Sequence, residues 1–150
     1  MAAVSEPTYT GLPQEEIERR YRLVREAAAR DGIDAVLVCG NEYTGFEGAV
    51  TYLSGFVIVH RYAYVVLPVD GDPSIVFPGE ARYVGEHATS WIDAQVFVDR
   101  PGDWLAEKLR GKRVGVYGLD YVMTVRDYAA LRDDCDLVGW DIPFDHARMV

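Results

Sequence analysis

The sequence predicts an α/β fold: a single domain holding a mixed, mostly parallel β-sheet of about five to six strands with one antiparallel hairpin, flanked by helices. Three observations lead there. A segment of helical period runs into Ile33 to Cys39 (IDAVLVC), a short and nearly continuous apolar run rich in β-branched residues, which reads as a strand covered on both faces. From Ala94 to Trp140, short apolar strands alternate with helical stretches. Between Tyr62 to Leu67 and Ser74 to Phe77, Pro68 to Pro73 (PVDGDP) carries the Asp-Gly signature of a hairpin turn, so one antiparallel pair sits within the layer.

Taken in order, residues 1–12 read as a flexible lead-in, with Ser5, Pro7 and Thr10 among them. Pro13 then opens a helix, Gln14, Glu15 and Glu16 complement its N-terminal dipole, and Gly32 stands just past its end. Ile17, Tyr21, Val24 and Ala28 form its buried stripe. Arg19, Arg20, Arg22 and Arg25, interleaved with Glu15, Glu16, Glu18 and Glu26, read as a solvated face with i,i+4 pairs. Gly40 to Gly48 is expected as a loop at the strand's C-terminal end, where open α/β sheets commonly place function. Ala49 to Leu67 reads as a Tyr-Leu-Ser-Gly-Phe turn leading into an apolar strand, with His60 and Arg61 at the junction.

Further on, Gly79 to His87 has helical spacing in Ala81, Val84 and Ala88, and Ala94 to Val98 reads as a strand. Pro101 to Arg110 is a helix with Trp104, Leu105 and Leu109 inward and Gly111 ending it. Lys112 to Tyr117 is a strand, Thr124 to Leu131 a helix and Leu137 to Trp140 a last short strand. The domain therefore spans 13–142, and 143–150 begins a linker or helix. An apolar and aromatic surface for self-association is expected around Trp91, Trp104 or Trp140.

A chain of 150 residues is long enough for one self-sufficient core. Its 49% hydrophobic and 26% charged residues exclude the disordered class. The net charge of -9, without a basic run, argues against a nucleic-acid partner. Cys39 and Cys135 lack C-x-x-C spacing and read as small core residues in a reducing compartment. Met1 to Thr10 has no apolar signal region and no run approaches a membrane span, so a cytoplasmic protein without membrane contact is the expectation.

No catalytic constellation is complete in the sequence. His60, His87 and His146 are isolated, and Asp145-His146 are neighbours that a helix would not aim at one site. Ser54 lies in Leu-Ser-Gly and not in G-x-S-x-G, so it reads as a turn or cap serine. Gly111 to Gly118 (GKRVGVYG) lacks the phosphate-loop and dinucleotide spacings. Asp133, Asp134 and Asp136, like Asp70 and Asp72, fall in predicted turns.

Val50 to Phe56 (VTYLSGF), followed by His60 to Leu67 (HRYAYVVL), resembles the N-terminal domain of the creatinase/prolidase group of pita-bread enzymes, which includes Xaa-Pro dipeptidase and aminopeptidase P. The order around these motifs is similar too: Glu16 to Arg30 as first helix, GIDAVLV from Gly32 as first strand, GKRVGVY from Gly111 as a late strand, and HARMV from His146 as the hinge into a catalytic domain. Tyr117 stands where members of the group often carry Glu. The resemblance covers about Glu15 to Val150.

The resemblance implies a non-catalytic domain. In that family two divalent ions (Mn, Co or Zn) are held by carboxylates and a histidine of a C-terminal pita-bread domain, and this chain stops before any of those ligands. It further implies a homodimer in which the segment after the Tyr-x-x-Gly-aromatic turn, here Phe56 to Arg61, reaches the neighbouring subunit's active site. Phe56, His60 and Arg61 are thereby implied as residues contacting substrate in trans, a cation suiting a zwitterion's carboxylate. The readings that follow are the N-terminal domain of a Xaa-Pro dipeptidase-like metallohydrolase, that of a creatinase-like C–N amidinohydrolase, or a binding and assembly module without a catalytic partner.

Overall fold

The computed structural model describes residues 11–43, 45–46, 48–58, 61–82 and 90–149. Helix α1, Gln14–Arg30, begins after Pro13 and buries Ile17, Val24, Ala27 and Ala28 on one stripe. Its end is a Schellman arrangement: Gly32 takes φ 72°, the Gly32 N–H donates to the Ala29 carbonyl at 3.1 Å, and the Ile33 N–H donates to that of Ala28 at 2.9 Å. A glycine is needed there because the left-handed conformation crowds a Cβ.

Among the described residues six strands follow, in the spatial order β4-β3-β2-β1-β5-β6. They are β1 (Ala35–Asn41), β2 (Tyr62–Pro68), β3 (Ser74–Pro78), β4 (Gln95–Val98), β5 (Arg113–Tyr117) and β6 (Asp136–Gly139). Only β2 runs against the rest, pairing antiparallel with β1 and β3, while β1 with β5, β3 with β4 and β5 with β6 pair parallel. All seven residues of β1 are buried, as a central strand covered on both faces requires.

Side chains alternate between two cores. Val36, Val38, Ala63, Val65 and Leu67 pack with Val24, Ala28, Leu53, Phe144 and Ala147 on the face covered by α1, α2 (Gly48–Ser54) and α5 (Asp141–Arg148). Ala35, Leu37, Cys39, Tyr64 and Val66 pack with Leu105, Leu109 and Leu131 on the face covered by α3 (Pro101–Lys108) and α4 (Val125–Leu131). Each large apolar side chain removed from water contributes about 1.5–3 kcal/mol, so these two layers carry the stability of the fold.

Among the described residues, one charged group is buried against the second core. Asp127 is 1% exposed, accepts the Tyr64 hydroxyl at 2.5 Å and accepts the Gly102 N–H at 2.9 Å. Thr124 caps α4 by accepting the Asp127 N–H at 3.2 Å. The carboxylate therefore joins β2 to the first turns of α3 and α4, and burial next to Cys39 and Asp127 pushes the Tyr64 phenol up.

Several expectations are corrected. Residues 48–54 are a helix, not part of a turn and strand. Gly40 makes this possible, since a Cβ there would stand 2.8 Å from the Val50 side chain and 2.9 Å from that of Ile58. The expected helix from Gly79 to His87 is a 3₁₀ turn over 79–82, and its remainder lies outside the described residues, as does the lead-in before Gly11. Asp136 opens β6 and is not in a turn. Of the linker or helix expected at the last segment, the helix is found, as α5 with Phe144 fully buried. Trp140 is 2% exposed, its indole N–H bonded to Asp31 at 2.8 Å, so it offers no surface for self-association. Trp91 and Trp104 are half-buried, and among the described residues the large exposed apolar side chains are instead Tyr43, Phe46, Val57, Tyr121, Val125, Tyr128, Ile142 and Met149.

Candidate functional site

The segment between α2 and β2 is aimed by hydrogen bonds to the end of α2. A helix leaves its last carbonyls without partners, and here other elements supply them. Arg20 Nη1 donates to the Tyr52 carbonyl at 2.9 Å and the Tyr21 hydroxyl to that of Leu53 at 2.8 Å. The Ser54 carbonyl accepts the Ser90 hydroxyl at 2.8 Å and the Trp91 N–H at 3.0 Å. Trp91 closes the ring by donating its indole N–H to the Tyr21 hydroxyl at 2.7 Å. Arg20, read from sequence as a solvated residue, keeps its expected pair with Glu16 at 3.0 Å and also anchors α2.

From that anchor the chain turns at Gly55, φ 73°, into Phe56. Phe56 is 5% exposed, edge-on to Phe77 at 5.1 Å, and its carbonyl accepts the Thr51 hydroxyl at 2.8 Å. Its ring belongs to this chain's own core. His60 lies outside the described residues. Arg61 emerges at the C-terminal edge of β1 with φ 64°, a left-handed conformation that costs a non-glycine residue about 1–2 kcal/mol. Glu42 holds it: the Arg61 N–H donates to the Glu42 carboxylate at 2.6 Å and the Glu42 N–H to the Arg61 carbonyl at 3.0 Å. The guanidinium meets Glu80 at 2.8 Å, with the two side chains 42% and 50% exposed. Such a pair is worth about 0–1 kcal/mol, little enough for a better carboxylate to replace it.

The same edge carries a second cluster. Asp141 accepts the Gly118 N–H at 2.9 Å and the Tyr121 hydroxyl, and Tyr121 stands edge-on to Phe46 at 4.8 Å. Burial and the bond to Asp141 push the Tyr121 phenol up. Arg148 bonds Asp145 at 2.8 Å and the Tyr117 hydroxyl at 3.3 Å.

None of these arrangements is a nucleophile beside a base. The Ser54 hydroxyl donates to the Val50 carbonyl at 2.6 Å and accepts the Phe56 N–H at 3.1 Å, which is the cap role expected of it. Burial pushes the Cys39 and Cys135 thiols up, away from the reactive thiolate. Among the described residues no group of three or more His, Cys, Asp or Glu is placed to hold a metal ion. Among the same residues no helix is long and apolar enough to cross a membrane. The sequence pointed to Phe56, His60 and Arg61. Glu42 was marked only as part of the loop from Gly40 to Gly48 and Glu80 carried no sequence signal, because their partner is reached only through the pairing of β1 with β2 and the turn after β3.

Comparison with known proteins adds to this geometry. Residues 19–150 match the family described as Creatinase/Prolidase N-terminal domain. No curated protein sequence gives a significant match. Among solved structures, the N-terminal domain of the cytoplasmic peptidase PepQ from Mycobacterium tuberculosis H37Rv is similar at 22% identity and TM-score 0.64, covering 87% of this chain and 98% of that one. The dipeptidase PepE from Mycobacterium ulcerans is similar at 21% identity and TM-score 0.68, covering 93% of this chain and 38% of that one. The prolidase from Pyrococcus horikoshii OT3 gives 17% identity and TM-score 0.60, covering 87% and 35%. The chain thus spans nearly all of a solved N-terminal domain and little more than a third of the two longer proteins. At these identities the structural likeness establishes the fold.

Proposed function

The chain belongs to the Creatinase/Prolidase N-terminal domain family, and from that premise we propose that it is the non-catalytic N-terminal domain of a metal-dependent, Xaa-Pro dipeptidase-like hydrolase. In this reading the domain supports dimerisation and shapes the substrate pocket of the partner subunit, while two divalent ions (Mn, Co or Zn) belong to a separate pita-bread domain. His60 and Arg61 meet a substrate carboxylate there, and Phe56 fixes the segment from inside its own core.

The observation that carries this reading is the presentation of Arg61. A cation at the edge of the sheet, in a left-handed conformation and held by Glu42 and Glu80, supports a role for Arg61 toward a partner outside this chain. The exposed Tyr43, Phe46 and Tyr121 are apolar surface of the kind that association covers.

The test is sedimentation velocity of the 150-residue chain over a hundredfold range of concentration. A dimer whose fraction falls on replacing Phe46 and Tyr121 by serine is expected. A strictly monomeric chain at the highest concentration removes the dimerisation role.

A further inference from the structure

We propose that the groove between α1, α2 and α5 is a binding site for a single carboxylate presented by a peptide, in the manner of an Asp or Glu side chain. This goes beyond the role proposed above and does not depend on it. The groove has a volume of ≈ 620 Å³ and is lined by Leu12, Arg20, Gly48, Tyr52, Val57 and Arg148, among others.

The first observation is Tyr52. Its hydroxyl is shut off from solvent and has no hydrogen-bond partner, the one such side-chain atom among the described residues. A hydroxyl in this position gains a hydrogen bond from any acceptor that enters the groove. The second observation is what surrounds it. The charges of Arg20, Arg19 and Arg148 reach this phenol, opposed by that of Glu16. The Arg20 guanidinium lies 4.4 Å from the Tyr52 ring centre.

The donor inventory sets the chemistry of an incoming group. Arg148 spends Nε and Nη2 on Asp145 and Tyr117. Its Nη1 lies on the groove side, 3.7 Å from where a Cβ on Gly48 would stand. Arg20 spends Nε on Glu16 and Nη1 on the Tyr52 carbonyl. Guanidinium groups have no acceptor, so the Tyr52 proton needs one brought from outside, and the same incoming oxygens can take the remaining guanidinium donors.

Charge chooses between anions. Glu16 and Asp145 neutralise two of the three charges of Arg19, Arg20 and Arg148, which leaves a formal charge of about +1. What remains suits one negative charge better than the nearly two of a phosphate. Exposed Val57 and the neighbouring Leu12 offer apolar contact to the chain that bears the carboxylate.

The experiment is amide and arginine Nε NMR of the 150-residue chain titrated separately with N-acetyl-aspartyl amide, N-acetyl-asparaginyl amide and inorganic phosphate. Saturable shifts at Gly48, Thr51, Tyr52 and Arg148 are expected with the aspartyl probe, with the asparaginyl probe and phosphate each at least tenfold weaker. Tyr52→Phe removes only the hydroxyl. It should weaken the aspartyl probe about tenfold and leave the melting temperature unchanged or higher. Absence of saturation, equal affinity for the aspartyl and asparaginyl probes, tighter binding of phosphate, or a lowered melting temperature in Tyr52→Phe would each overturn the proposal.

Discussion

Replacing Tyr21 by phenylalanine should loosen the whole presentation of the segment after α2. The substitution keeps the ring, and so the buried apolar contact, but deletes a hydroxyl that donates to the Leu53 carbonyl at 2.8 Å and accepts the Trp91 indole at 2.7 Å. Two hydrogen bonds at about 0.5–1.5 kcal/mol each put the loss at ~1–3 kcal/mol. With a urea slope of roughly 2 kcal/mol per M, the unfolding midpoint should fall by about 0.5–1.5 M. Trp91→Phe should lose part of the same energy, and the double variant should show a coupling of ~0.5–1.5 kcal/mol, because the two side chains share one bond. Amide hydrogen exchange should rise at Gly55 and Phe56 more than in α1. A midpoint within 0.2 M of the parent chain, with additive single and double variants, would refute the idea that this pair fixes the exit of α2.

Three further outcomes follow from the same geometry. Tyr64→Phe strips the nearly fully buried Asp127 of a charge-assisted hydrogen bond and should cost about 1.5–3 kcal/mol in urea unfolding; an unchanged midpoint would mean the bond contributes nothing. Gly102→Ala places a Cβ 2.6 Å from the Asp127 Cα, and overpacking of this kind should cost ~1–3 kcal/mol, read as a lowered melting temperature. Burial, offset in part by the Trp91 bond and the Arg25 charge, pushes the Tyr21 phenol up to about 12 from its ordinary 10.0. The neutral phenol is the native form. Its contribution to stability is full below pH 10, where the unfolded chain also keeps its proton, and is lost as pH rises to about 12. Stability measured across that range should fall less steeply in Tyr21→Phe, and equal slopes would show that Tyr21 is not part of the alkaline transition.

Most of the layer was legible because its signals are local. The β-branched run at Ile33 to Cys39, the helical stripe of α1 closed by Gly32, and the Asp-Gly turn each state their structure within a few residues. Helix α2 was not legible for the opposite reason. Its seven residues include a β-branched Val50 and Thr51, and its stability comes from Arg20, Tyr21 and Trp91 bonding its terminal carbonyls and from Gly40 letting it close on β1. The arginine cluster on α1 shows the same limit, since Arg20 makes the expected pair with Glu16 and a contact 32 residues away that no spacing rule reports. At the edge of the sheet, Arg61 was visible as a cation beside a strand. Its left-handed backbone and the grip of Glu42 and Glu80 depend on strand pairing and could not be read from the chain.

The division of labour proposed for this domain rests on its doing no chemistry by itself. The most direct measurement is incubation of the purified 150-residue chain with the dipeptide Ala-Pro and manganese, following release of free proline. No release above the buffer rate is expected with or without the metal. Turnover that rises with manganese, falls on chelation and survives further purification would contradict the assignment and place a catalytic centre within these 150 residues.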